Sequence, residues 1–429
     1  MGMQATHTEL ITEGARTTDP ATPTCRFCRA PLTHTFVDLG MSPLCESYVP
    51  AERENAMEPF YPLHAKVCEQ CLLVQLEEFV AADDIFGEYA YFSSYSDSWV
   101  AHARDYVAMA VERFGLDESS LVVELASNDG YLLQHVVERG IPALGIEPAA
   151  NVARVAQEQG IETWVEFFGR DLARRFVSER SGADLLAANN VMAHVPDLND
   201  FVGGIAIALA PQGVATIEVP HLIRLVESNQ FDTIYHEHFS YFTMLTARKV
   251  LAAHGLELFD VEELKSHGGS LRLYAQPAET GRHEVSDRVR ELETRERALG
   301  FDTLEAHRSF SRQVHETKWR LLEFLIARRR EGKRIVGYGA PGKGNTLLNF
   351  CGIRTDLLDY TVDRNPYKQG MYLPGTHIPI RHPEVLETDR PDYILILPWN
   401  LTQEIVKQLD YAHEWGAQFI VPIPEVKVL

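Results

Sequence analysis

Between residues 121 and 220 the chain alternates short, wholly apolar runs with longer amphipathic ones, which leaves few architectures open. "SLVVELASNDGYLLQHVVERG" starts as an apolar run, passes a small polar turn and continues as an amphipathic helix to Gly140. "PALGIEPAANVARVAQEQG" repeats the unit. "ADLLAANNVMAHV" and "GVATIEVP" read as two further strands, with a helix expected over 198–210 between them. Apolar strands joined through amphipathic helices predict a parallel sheet covered on both faces, the doubly wound α/β arrangement. Ligands of such sheets sit beyond the carboxyl ends of the strands.

The residues at those ends suggest which ligand. The first strand ends in Glu124 and turns through Ala126, Asn128, Asp129 and Gly130; the second ends in Glu147. An acid closing the second strand is placed to accept both hydroxyls of a ribose. The turn lacks G-x-G-x-x-G, with Ala126 and Asn128 where glycines would admit a pyrophosphate. A nucleoside cofactor without phosphates, S-adenosylmethionine, fits that turn better than NAD. Asn190, closing the third strand, joins these residues as a candidate cofactor contact. The competing view is a domain whose acidic strand ends are simply solvated.

Residues 282–330 are rich in Arg, Glu and Leu and predict one or two long helices that brace neighbouring domains. "KRIVGYGAPGKGNTLLNF" then opens a second α/β unit with Gly337, Gly339 and Gly342 in a G-x-G-x-x-G between strand and helix. Lys343 and Asn345 stand at the helix start, where backbone N–H groups would meet a diphosphate, and Asp363 ends the next strand. "PDYILILPWN" supplies a third strand. In the plain alternative the glycines merely allow strand and helix to pack closely.

Five of the six cysteines fall within residues 25–71. Cys25, Cys28, Cys68 and Cys71 form two Cys-x-x-Cys pairs, each able to present two thiolates from one tight turn, and two such turns make a closed tetrahedral zinc site. Four sulfur ligands leave no open position, so the zinc is expected to be structural. Cys45 is then a free thiol. The fold expected is an α/β chain with a Rossmann-like S-adenosylmethionine-binding domain, a second Rossmann-like C-terminal domain and a small N-terminal zinc-binding β domain. Boundaries follow as a disordered tail over 1–22, a zinc domain over 23–82, a cofactor domain over 83–280, and a helical brace with the C-terminal domain over 281–429.

"FDTIYHEHFSYF", residues 231–242, sets Tyr235, His236, Glu237 and His238 among aromatics that would exclude water. It can be an acid–base centre, a metal clamp through His236, Glu237 and His238, or a buried polar cluster. The metal clamp is disfavoured, because H-E-H lacks the one-face spacing of H-E-x-x-H on a helix. "SHGGSLR" places His267 before two glycines, either a ligand contact or a tight turn between strands. A formal net charge of −21 argues against nucleic acid or an anionic membrane as partner. No run approaches the roughly 20 apolar residues of a membrane helix, and no signal pattern opens the chain, so a cytoplasmic protein is expected. No heptad seam points to oligomers; a monomer is expected.

Taken in order, the cysteine pairs, "YFSSYSDSW", "VVELASNDGYLL", "GIEPA", "YHEHFSYF", "SHGGSLR" and "GYGAPGKGNTLLN" resemble the sugar C-methyltransferases of antibiotic deoxysugar pathways. The resemblance runs from about residue 24 to the C-terminus; Cys45 and the N-terminal extension are its departures. It implies a transfer from S-adenosylmethionine to a dTDP-4-keto-deoxysugar, usually at C3, with the C-terminal domain helping to hold the nucleotide sugar. It also implies His238 as base, with Tyr235, Glu237, His194 and Tyr89 in the active site; Tyr91, two positions on, makes the last match less certain. Carbon needs an acidified C–H to act as a nucleophile, and a 4-keto sugar supplies one at C3. A histidine suits the proton transfer, and His194 or Tyr235 would meet the oxyanion developing at O4. The other readings carried are methylation at C5, which the same ketone acidifies, an NAD-dependent nucleotide-sugar oxidoreductase built on residues 337–342, and a non-catalytic binding module organised by zinc.

Overall fold

The computed structural model describes residues 22–81, 92–280 and 282–429. Tyr89, Tyr91 and the tail expected over 1–22, all but its last residue, lie outside the described residues.

The N-terminal part contributes three antiparallel strands, β1 (His34–Ser42), β2 (Tyr61–Val67) and β3 (Val74–Gln75). Ahead of β1 and between β2 and β3 lie the two cysteine turns. In each, a non-glycine residue directly after the second cysteine takes a left-handed conformation, Arg29 at φ 65° and Leu72 at φ 67°. The N–H groups of those two residues donate back to the carbonyls of Cys25 and Cys68, both at 2.9 Å, so the two turns close alike.

The middle of the chain adds β4 (Val122–Leu125), β5 (Ala143–Ile146), β6 (Thr163–Trp164), β7 (Ala183–Asn189), β8 (Leu209–Pro220), β9 (Ser240–Tyr241), β10 (Leu256–Leu264) and β11 (Ser270–Pro277). All but β9 form one seven-stranded sheet in the order β10-β11-β8-β7-β4-β5-β6. Strands β4 to β8 run parallel, as their apolar character predicts, and β10–β11 closes the edge as an antiparallel hairpin. The helix expected over 198–210 spans Leu198–Ala208. Strand β9 leaves this sheet: it pairs with β3 through Val74↔Tyr241 and Gln75↔Ser240 and becomes the fourth strand of the N-terminal sheet.

Helices Asp287–Ala298, Leu304–Arg308 and Phe310–Arg330 make the brace. Buried Glu296 of the first accepts the N–H groups of Met244 and Leu245, both at 2.9 Å, and the Nε2–H of His221 at 2.9 Å. It thereby adds a carboxylate cap to the helix Met244–Ala253, whose own N-cap Thr243 accepts the Thr246 N–H. The last six strands are β12 (Ile335–Tyr338), β13 (Thr361–Val362), β14 (Ile380–Arg381), β15 (Tyr393–Ile396), β16 (Gln418–Val421) and β17 (Lys427–Val428). They form a sheet in the order β14-β13-β12-β15-β16-β17, parallel except at β17. A core runs from β1 and β2 through helix Phe310–Arg330 into this sheet, joining the first and last parts of the chain.

Candidate active site and metal centre

The four cysteine sulfurs lie within 4.8 Å of one another, with Cys25–Cys71 at 3.6 Å and Cys28–Cys68 at 3.4 Å. A tetrahedral zinc with Zn–S bonds near 2.3 Å needs sulfurs about 3.8 Å apart, so the set fits the ion with only small adjustment. Gln75 of β3 donates to Cys25 Sγ at 3.2 Å and accepts the Arg26 N–H at 2.8 Å, orienting the ligand turn from outside. Cys45 is not part of the set; it is buried elsewhere, and burial pushes its thiol well above the ordinary range.

Beyond β4, the turn Ala126–Gly130 alternates left-handed residues: Ala126 at φ 54°, Asn128 at φ 51° and Gly130 at φ 82°. Non-glycine residues thus take the conformations that the expected glycines would have had. Glu147 holds the turn, accepting the N–H of Asn128 on one carboxylate oxygen and that of Ala149 on the other, both at 2.9 Å. Each oxygen keeps a second lone pair, enough for one ribose hydroxyl apiece. The segment before helix Asp97–Phe114 closes on the same turn, as the N–H groups of Ser93 and Ser94 donate to Asn128 and Asp129 at 2.9 and 3.0 Å. Ser127 Oγ, Asp129 Oδ1 and Asn190 Oδ1 are buried without a hydrogen-bond partner, which suits a polar ligand seated here. Glu124 sits deeper, fully buried in the sheet, where burial drives its carboxyl well above the usual range.

Residues 231–242 link the sheets. His238 donates from Nδ1 to the Thr233 carbonyl at 2.8 Å. In the neutral ring, that bond leaves the lone pair on Nε2. The rings of Tyr235 and His194 stand 4.0 and 4.6 Å from the His238 ring, the latter edge-on. His236 points the other way: it donates from Nε2 to the Pro62 carbonyl of β2 at 3.1 Å, and burial lowers its pKa. The H-E-H stretch is therefore not drawn together as a metal clamp; among the described residues, the four cysteines form the group able to hold a metal. Glu237 is buried against the Cys45 thiol, which donates to it at 3.7 Å, and burial together with Glu46 lifts its carboxyl to about 7.

The glycine turn of the C-terminal sheet is occupied by protein. A β-carbon on Gly339 would stand 2.5 Å from the Pro398 ring, and one on Gly342 would stand 2.7 Å from the Glu46 carboxylate and 2.9 Å from Cys45 Sγ. Asp363 accepts the Ala340 N–H at 2.6 Å and the Asn365 N–H at 2.8 Å. Asn345 donates to the Cys45 carbonyl at 2.6 Å. Loop 43–48 of the N-terminal part thus fills the space that a dinucleotide would need. Lys343 stays at the mouth, bonded to Asn400 and lying over the Trp399 ring at 4.5 Å. Beneath it, buried Asp232 accepts the Trp399 indole N–H at 2.7 Å, and burial lifts its carboxyl to about 6. Gly268 and Gly269, next to His267, admit the side chains of Gln230 and Arg224 at the β10–β11 turn.

Glu46, Asp232 and Trp399 are not singled out by the sequence, which reads Cys45 as a free thiol and no more. Asp232 and Trp399 did lie inside the quoted motifs, but only the fold brings them together.

Family models match three stretches: a zinc binding domain over 25–86, a methyltransferase domain over 99–261, and a C-methyltransferase C-terminal domain over 265–424. The chain is 36% identical over 405 residues to the C-methyltransferase NovU of Streptomyces niveus, covering 94% of this chain and 96% of that one. Among solved structures it is similar to a 1,6-didemethyltoxoflavin N1-methyltransferase of Burkholderia thailandensis, at 18% identity over 48% of this chain and 94% of that one, with a TM-score of 0.34. The protein PH0226 of Pyrococcus horikoshii overlaps at 15% identity over 46% of this chain and 99% of that one, with a TM-score of 0.35. Neither overlap bears on the chemistry.

Proposed function

The chain belongs to the C-methyltransferase family, and from that premise we propose that it methylates C3 of a dTDP-4-keto-deoxyhexose, with His238 as base, in deoxysugar biosynthesis for an antibiotic or related natural product. The observation that carries this reading is the meeting of His238, which donates from Nδ1 to the Thr233 carbonyl at 2.8 Å, with the rings of Tyr235 and His194 at 4.0 and 4.6 Å.

S-adenosylmethionine, when bound at the turn 126–130, supplies an electrophilic methyl on a sulfonium. Everything else falls to the chain. His238 Nε2 takes the proton from the carbon next to the ketone, and the Thr233 carbonyl steadies the imidazolium that results. Tyr235 or His194 donates to the oxygen on which charge develops. Glu237, its carboxyl lifted by burial to about 7, orients an imidazole or holds a sugar hydroxyl. The buried aromatics exclude water, which protects the enolate from reprotonation. On the substrate side, Lys343 meets the diphosphate at the helix mouth; the glycine turn itself, filled by loop 43–48, serves packing. The division of labour is a zinc domain over 23–82, a methyltransferase domain over 83–280 and a nucleotide-sugar domain over 281–429. The enzyme would act as a cytoplasmic monomer.

The test is transfer of a ¹³C-methyl group from labelled S-adenosylmethionine to a dTDP-4-keto-2,6-dideoxyhexose, with the product located by NMR. A new methyl carbon bonded to C3 is the expected result; bonding to C5 would move the reaction to the other acidified carbon. Deuterium entering C3 from heavy water without methyl transfer would keep the base and reject the donor. The absence of both exchange and transfer would reject the reading.

A further inference from the structure

Arg26 occupies the two-residue turn between Cys25 and Cys28, a place where any pair of residues would satisfy the metal spacing. Its side chain does not go to solvent. Nη1 donates to the Pro196 carbonyl and Nη2 to the Leu76 carbonyl, both at 2.5 Å. The guanidinium also lies over the Phe239 ring, 5.1 Å from its centre. Each contact leads to one of the two histidines: Pro196 is two residues after His194, and Phe239 directly follows His238. Leu76 belongs to the second branch too, since its N–H donates to the Phe239 carbonyl at 3.0 Å.

The main chain of the turn reinforces the same two branches. Asn199, on the His194 side, donates to the carbonyls of Arg26 and Phe27 at 3.1 and 2.9 Å. Gln75, which accepts the Arg26 N–H, pairs with Ser240 of β9, two residues past His238. The cysteine turn is thus bonded directly to both loops that carry the rings standing 4.6 Å apart. A guanidinium stays protonated in proteins, so the two carbonyls and the ring face receive a full charge.

We propose that Arg26 is a positioning residue for methyl transfer: it clamps the His194 and His238 loops together from within the cysteine turn, so that the zinc-binding domain sets the geometry of the proton-transfer site. This rests on the reading that those histidines serve the reacting carbon. A planar fork is needed, because two carbonyls on different loops must be met at once while the flat cation lies on a ring; an ammonium on a flexible stem does not reproduce that. The domain therefore does more than stabilise the chain.

The test compares Arg26→Lys with the wild type in three measurements on the full-length, zinc-loaded protein. Metal analysis should still find about one zinc per chain. S-adenosylmethionine affinity should stay within about twofold while kcat falls by about 10²-fold, the size of loss that follows a misplacement near 1 Å. The C2–H resonances of His194 and His238, assigned by single substitution, should both move in the substrate-free protein. Wild-type kcat in a zinc-loaded variant overturns the proposal, and so does a loss carried by KM alone or by a fall in zinc content. Should Arg26→Lys not fold, Phe239→Leu removes the ring from under the guanidinium, leaves the cysteine turn intact and is judged by the same readings. His238→Ala is run alongside. If it retains turnover, the base assignment fails, whereas unmoved histidine resonances in Arg26→Lys reject the clamp alone.

Discussion

At the scale of single residues, the stretch 231–242 separates two histidines of like chemistry by what each ring bonds to. His236 is committed through Nε2 to a β2 carbonyl and held neutral by burial, whereas His238 donates from Nδ1 to the Thr233 carbonyl and lies against the rings of Tyr235 and His194. His238→Ala should therefore lower methyl transfer by about 10²–10⁴-fold and abolish deuterium exchange at the reacting carbon, while His236→Ala should leave exchange detectable and lower thermal stability. Reversal of the two outcomes would move the base to His236. Glu237 makes a second prediction through pH. Its folded pKa of about 7 lies above the ordinary 4.5, so the folded state holds a proton that the unfolded state has lost between those values. Stability must then fall as pH rises from about 4.5 to 7, by about 3 kcal/mol for this group, and remain lower above that. Glu237→Gln should flatten that slope, so the variant should gain on the wild type at pH 8 and not at pH 4.5. Melting curves at the two pH values decide it; a constant offset between variant and wild type would mean the carboxyl titrates normally.

At the scale of elements, what was legible was what is local. The apolar strands β4, β5, β7, β8, β12 and β15 and the helices following them could be read because strand and helix periods survive in neighbouring residues. The cysteine turns could be read because two short spacings repeat. Strand β9 could not: it has two residues, Ser240 and Tyr241, and joins a partner at Val74–Gln75 that no local pattern connects to it. The glycine turn stays ambiguous in the sequence for a related reason. Its spacing is that of a phosphate loop, but whether glycine admits a ligand or a neighbouring side chain depends on loop 43–48, some three hundred residues earlier. The cap on helix Met244–Ala253 is equally non-local, since its own N-cap, Thr243, is supplemented by Glu296 from the brace. Glu296→Gln replaces one accepting oxygen by an amide whose N–H groups face backbone N–H or imidazole N–H. It should cost about 2 kcal/mol, as expected for a buried acceptor lost from a charge-assisted set, and appear as a lower denaturation midpoint with zinc content unchanged. A midpoint equal to that of the wild type would mean that Thr243 caps the helix unaided.

At the scale of the whole molecule, the three sheets do not divide the work as cleanly as the three segments of sequence do. The turn 126–130, where we propose that the cofactor binds, lies at the end of β4 in the seven-stranded sheet and is clamped by Ser93, Ser94 and Glu147. The His238 stretch, by contrast, runs out of the middle segment into β9 and is held by β3, Pro62 and Arg26, all in the zinc-binding part. Removing the metal should then separate two properties that a single compact domain would lose together. With zinc withdrawn by a chelator, the four thiolates repel or reprotonate and the two cysteine turns lose their common anchor. Strand β3 follows the second turn by two residues, so the pairing with β9 loosens next. Methyl transfer should fall to background while S-adenosylmethionine still binds within about threefold of its original affinity, the turn at β4 having lost no contact. Calorimetry on the metal-free protein gives the affinity, the labelled-methyl assay gives the rate, and readdition of zinc should restore the rate without changing the affinity. Loss of both together would mean that the sheets unfold as one unit, and survival of both would mean that the zinc-binding part does not govern the site it frames.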